Sequence, residues 1–207
     1  GNEVKPIEGE HWLDQSFGVF NIGRFLKVYE NTITLIAKPM SVHCELAPVF
    51  IKGNFSLKPE VQGWTIIRPG KLGTGSWLDQ GYPFYHHIVR YSKPFVVDSK
   101  SGRYKLVLGS WQGTVAGVDV NGKEAGVIYH QPYELDITDM IREGENIITV
   151  NVVGSLKNLL GPHHNVTRRG IVTPWSFKYA PENQPPGEEY DLLDYGLMED
   201  FKLLSGS

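Results

Sequence analysis

The amino-acid sequence predicts an all-β fold, a β-sandwich with one short helical turn. Three observations carry that expectation. Between about Tyr29 and Lys178 the chain consists of short alternating segments punctuated by Gly, Pro and Asn-Gly, without long helical periodicity. The dipeptide Asn121-Gly122 in VDVNGKEAGV supplies the two positive-φ positions that a tight hairpin turn demands. In YKLVLGS, Tyr104, Leu106 and Leu108 fall on one face and Lys105 and Val107 on the other, so one face belongs to a core.

The elements follow in order. Residues 1–28 read as an N-terminal extension, and the sandwich is expected over 29–180. In NTITLIAK, Ile33, Leu35 and Ala37 alternate with Thr32, Thr34 and Ile36; VHCELAPVFIKGNFSL follows, with Pro48 and Gly53 as breakers. Both read as early strands. HHIVRYSKPFVV alternates in the same way. LDITDMIREGEN offers Asp136 or Thr138 as a cap, an apolar turn at Met140 and Ile141, and Gly144 as a stop, which makes it the helical turn. NIITVNVVGS then places Ile148, Val150 and Val152 on an inner face. APENQPPGEEY is an extended connector rich in Pro, Glu and Gly. Beyond it, Leu192, Leu193, Tyr195, Leu197 and Phe201 are too apolar to stay solvated, so the tail over 181–207 is expected to pack back on the sandwich.

Composition narrows the function. With 207 residues, 41% hydrophobic and 21% charged, the chain can bury a core that offsets the entropy of ordering it. A formal net charge of −3 and the absence of any basic run exclude the electrostatic footprint that nucleic-acid binding needs. The single cysteine, Cys44, excludes an internal disulfide and a multi-cysteine zinc site. No apolar run reaches the length of a membrane span, and no charged-then-apolar leader opens the sequence.

Three stretches read together carry a family resemblance: WLDQGYPFYHHIVRYSKPFVV, the long run from LVLGSWQG through VNGK, DIT and GEN to NVVGSLKNLLGPHH, and YDLLDYGLMEDF. They resemble the galactose-binding-like jelly-roll domain of bacterial glycoside hydrolases, with the family 2 sugar-binding domain and the β-sandwich of family 106 α-L-rhamnosidase-like proteins as the nearest forms. The resemblance covers Trp77 to Phe201 well and Thr32 to Gly75 loosely. It implies a jelly roll that accompanies a separate catalytic barrel, for which this chain has no room beside a sandwich. It also implies an extracytoplasmic location (periplasmic, cell-surface or secreted), and it leaves room for a structural calcium, although no D-x-D-x-D-type loop marks one.

The candidate ligand-binding residues are Trp77, Tyr82, Tyr85, Trp111, Asn158, His163, His164 and Arg168. A pyranose packs its C–H face on an aromatic ring while Asn, Arg and His bond its hydroxyls, and GSWLDQGYPFYHH and GSWQG set such rings in loops. The same rings can instead plug the ends of a sandwich. Asn158, His163, His164, Asn165, Arg168 and Arg169 form the densest group of donors; they serve either a ligand or a long loop that needs tying down. Neither His86 with His87 nor His163 with His164 can chelate one ion from an extended strand, whose successive side chains point apart, although a turn after Pro162 would relax this for the second pair. Hydrolysis needs two carboxyl groups flanking a bond; Asp79, Glu134, Asp136 and Asp139 are available, and nothing in the sequence pairs them.

Four functions remain: a non-catalytic carbohydrate-binding or accessory domain of a larger glycoside hydrolase, with a glycan and the parent's catalytic domain as partners; a purely architectural domain docking a catalytic module without sugar affinity; a stand-alone lectin-like protein; and a glycosidase in its own right. The architectural reading expects an apolar surface patch near Leu192 to Phe201.

Overall fold

The computed structural model describes residues 1–42, 48–164, 173–178 and 181–206. The chain forms two compact units, Gly1–Ile51 and Lys52–Ser207. In the first, β1 (His11–Trp12) pairs antiparallel with β2 (Asp14–Gly18), and Phe50 packs on Trp12 and Phe17 with ring centroids 5.1 and 6.2 Å away. NTITLIAK forms no strand. Among the described residues no strand pairs with it, and Leu35 and Ile36 stay 67% and 76% exposed, so neither pairing nor burial fixes it as a strand.

The second unit holds β3 (Ser56–Pro59), β4 (Trp64–Ile67), β5 (Ile88–Val97), β6 (Arg103–Val107), β7 (Trp111–Gln112), β8 (Val115–Val120), β9 (Lys123–Ile128), β10 (Glu134–Asp136), β11 (Gly144–Val153), α1 (Lys157–Leu160), β12 (Gly196–Leu197) and β13 (Lys202–Gly206). It is an all-β sandwich. One antiparallel sheet runs β5-β11-β8-β9 and the other β10-β6-β13. Their inner faces meet in one core, where Ala116, Val118, Val120, Ile148, Val150 and Val152 face Tyr104 and Leu106. The period of two in the sequence is the cause: these buried residues alternate with exposed or half-buried neighbours along each strand.

Local chemistry sets the edges and turns. Pro94 sits inside β5, which pairs only with β11; an edge strand tolerates a residue without an N–H because one side of its backbone has no ladder to complete. Asn121 and Gly122 adopt φ of 53° and 79° and turn β8 into β9, as their residue types require. The expected helical turn is a 3-10 turn at Thr138–Met140. The N-cap position is Ile137, which makes no side-chain cap bond; Asp136, one residue earlier, accepts the Thr138 N–H and hydroxyl at 3.0 and 2.6 Å, and these bonds hold its pKa below the ordinary value. Asn146, fully buried, locks the entry to β11 by accepting the Arg142 N–H and an Asn121 amide proton while donating to the carbonyls of Arg142 and Gly144.

The end of the chain belongs to the sandwich. Leu192, Tyr195, Leu197 and Phe201 are buried, and β13 pairs along the whole of β6. These four side chains complete this chain's own core rather than offering an apolar surface to a partner.

Candidate functional site

Strand β11 ends at Val153, and the chain leaves it through Gly154 and Ser155 into the single turn of α1. Within NLLGPHH, Asn158 to Leu160 are helical, and Gly161 ends the turn at φ 77°. Beside this exit runs the β7–β8 connection, whose Thr114 N–H donates to the Val153 carbonyl at 2.8 Å and whose Thr114 hydroxyl donates to the Gly154 carbonyl at 2.9 Å. The returning tail supplies the third wall, fixed by the Trp77 N–H donating to the Tyr195 carbonyl at 2.8 Å.

These three segments enclose an open cleft of about 430 Å³, lined by Gln112, Gly113, Thr114, Ser155, Leu193, Asp194 and Tyr195. That volume lies in the range of small-molecule sites, about 300–1,000 Å³. The Ser155 and Tyr195 hydroxyls meet at 2.5 Å, and the exposed Asp194 takes the buried Ser76 hydroxyl at 2.7 Å. The lining offers hydroxyls, an amide and one carboxylate over a Tyr and a Leu, a set that suits a polyhydroxylated ligand. Among the described lining residues only Asp194 is a carboxylate, so the paired acids of glycoside hydrolysis are not assembled here.

The residues singled out from sequence are placed differently. Trp77 is 1% exposed; its indole N–H donates to the Tyr91 hydroxyl at 2.7 Å and its ring packs on Tyr85 and Tyr195, so no face is left for a sugar. Tyr82 is half-buried with its hydroxyl on the Gly70 carbonyl, and Tyr85, 39% exposed, donates to the Ile88 carbonyl at 3.2 Å. Trp111 is half-buried, edge-on to Tyr133, with its indole N–H buried and unpaired. Asn158 is a buried tie: its amide donates to the carbonyls of Pro83 and Leu193 and accepts the Leu193 N–H. It holds the tail against α1 rather than reaching solvent.

His163 is stacked on Tyr190 and lies edge-on to Phe84, with its Nε2–H donating to the Asn158 carbonyl at 2.7 Å. Burial, first of all, lowers its pKa; the bond to Asn158 works the other way, and Lys157 and His164 add to the lowering. His164 donates to the Ser176 carbonyl at 2.9 Å. Arg168, with Asn165, Arg169 and Cys44, lies outside the described residues. His86 and His87 precede β5, so the strand argument does not govern them, and their rings sit 4.8 Å apart. Among the described residues no three His, Cys, Asp or Glu side chains converge to hold a metal ion.

Sequence reasoning missed Gln112, Thr114, Ser155, Asp194 and Tyr195 as a group. One signal was present: Asp194 interrupts an apolar tail between Leu193 and Tyr195, which marks a carboxylate facing outward from a buried segment. The meeting of three segments far apart in the chain left no such mark.

No family model matches the chain. A candidate beta-glucuronidase of Formosa agariphila is 31% identical over 120 residues, covering 55% of this chain and 10% of that protein. The chain thus spans about a tenth of the length of the curated relative it matches. Among solved structures, a rhamnosidase from Novosphingobium sp. PP1Y aligns at 22% identity and a TM-score of 0.42, covering 79% of this chain and 16% of its own. A Bifidobacterium dentium beta-glucuronidase aligns at 22% identity and a TM-score of 0.39, covering 62% of this chain and 23% of its own.

Proposed function

We propose that this chain is a non-catalytic β-sandwich domain of a larger glycoside hydrolase, a jelly roll of the galactose-binding-like kind that binds glycan in the cleft between Gln112 and Asp194. The observation that carries the reading is the 31% identity to a candidate beta-glucuronidase of which the match covers only a tenth. The cleft supports it chemically, with converging hydroxyls and a carboxylate beside apolar surface. The bond-breaking acids belong to another domain of the parent protein, and an extracytoplasmic location goes with this role. Among the described residues no helix is long and apolar enough to cross a membrane.

Titration of the full chain with a panel of oligosaccharides tests the proposal. Binding that weakens at least tenfold on Gln112→Ala or Asp194→Ala supports it. Binding insensitive to both substitutions places the ligand elsewhere. A panel without any binder leaves the architectural reading in its place, which the buried tail does not favour.

A further inference from the structure

Asp194 is the one formally charged side chain among the described residues lining the cleft. It is exposed, and its Oδ1 is held by the Ser76 hydroxyl, itself buried, at 2.7 Å. Its other oxygen is left to accept from ligand hydroxyls. The Thr114 hydroxyl proton is committed to the Gly154 carbonyl, so this oxygen too offers only acceptance, and the Ser155–Tyr195 pair has a single proton to spare. Gln112 brings the cleft's own amide donors, so its distinguishing feature is a single carboxylate without a cation among the described lining residues.

The nearby cation does not offset them. The Lys157 ammonium is about nine-tenths buried and is taken up by the carbonyls of Asp191 and Pro162 and by the Asp191 carboxylate. We propose that the cleft selects a neutral, hydroxyl-rich sugar residue against a uronate, with Asp194 as the residue that sets the selection. The inference rests on the reading of the cleft as a glycan site. Both kinds of sugar bring hydroxyl protons to these oxygens, but a uronate adds a second carboxylate beside Asp194. Two like charges about 4 Å apart cost roughly fivefold in affinity even at the dielectric of water, and more as the cleft sheds solvent.

Titration of the isotope-labelled full chain with methyl β-galactoside, methyl β-glucoside, methyl α-L-rhamnoside and methyl β-glucuronide, at low salt, tests this by amide chemical shifts. The expected result is that at least one neutral glycoside moves the Gln112, Gly113 and Thr114 amides, while the glucuronide binds about fivefold or more weakly. Asp194→Asn, which keeps an oxygen for Ser76, is expected to raise glucuronide affinity to the level of the neutral sugar. Glucuronide binding as strong as the best neutral glycoside, or unchanged by Asp194→Asn, overturns the selection and leaves the glycan site standing. If no glycoside of either kind moves the cleft amides, both fall. Thermal melting of Asp194→Asn confirms that the variant is folded.

Discussion

The Lys157 ammonium lies 3.3 Å from the Asp191 carboxylate at a site where Asp191 is fully buried. The contact is an ion pair rather than a directed hydrogen bond: the ammonium gives protons to the carbonyls of Asp191 and Pro162, and both carboxylate oxygens lack a hydrogen-bond donor. The charge on each partner is tolerated only because the other is present. Lys157→Met is therefore expected to cost roughly 3–5 kcal/mol, the range for stripping a buried ion of its partner. Combined with Asp191→Asn the loss should fall short of the sum by about 1 kcal/mol or more, read from urea denaturation. Strict additivity would show that the two charges are not coupled.

His163 links stability to pH. Its pKa is lowered chiefly by burial, so the folded protein binds fewer protons than the unfolded chain between the two pKa values, and stability rises with pH across that interval. The contribution is complete above about pH 6.5, the ordinary histidine value, and is lost as pH falls through the folded value. His86, lowered first by burial and then by His87, acts in the same direction. The urea midpoint should drop from about pH 7 to about pH 5, and drop less in His163→Gln. An equal drop in that variant would assign the effect to other groups.

Trp77 separates packing from recognition. Trp77→Phe removes the bond to Tyr91 and part of the ring, at an expected cost of about 1–2 kcal/mol, whereas Trp77→Ala should cost about 3–5 kcal/mol. Trp77 does not itself line the cleft, but its ring packs on Tyr195, which does; Trp77→Phe keeps an aromatic ring there and is expected to leave the affinity of a cleft ligand unaltered under folding conditions. A lost affinity in a fully folded Trp77→Phe would put the ring back at the ligand.

Two glycines with positive φ should respond unequally to alanine. Gly122 has open space around it, so Gly122→Ala carries only backbone strain, about 1 kcal/mol. At Gly196, with φ 133°, a Cβ would lie 2.5 Å from the Gly75 carbonyl and 2.9 Å from the Trp77 ring, so overpacking adds to strain and the cost should reach about 3 kcal/mol or more. Thermal melts of both variants check the order, and equal shifts would contradict the close approach of the tail to Trp77.

The sequence by itself determined the sandwich. The burial of Tyr104, Leu106, Ile148, Val150 and Val152 follows from a period of two, and the β8–β9 turn follows from Asn-Gly, because both are consequences of backbone geometry within a few residues. The same local rule misled at NTITLIAK, since alternation becomes a strand only where another strand supplies the ladder. The histidines of NLLGPHH read as donors from composition; only the fold turned them into ties on the Asn158 and Ser176 carbonyls. The cleft was decided by tertiary structure alone. Thr114, Ser155 and Asp194 meet because strand β11, the β7–β8 connection and the returning tail converge, and side-chain periodicity within any one segment carries no information about which distant segment will face it.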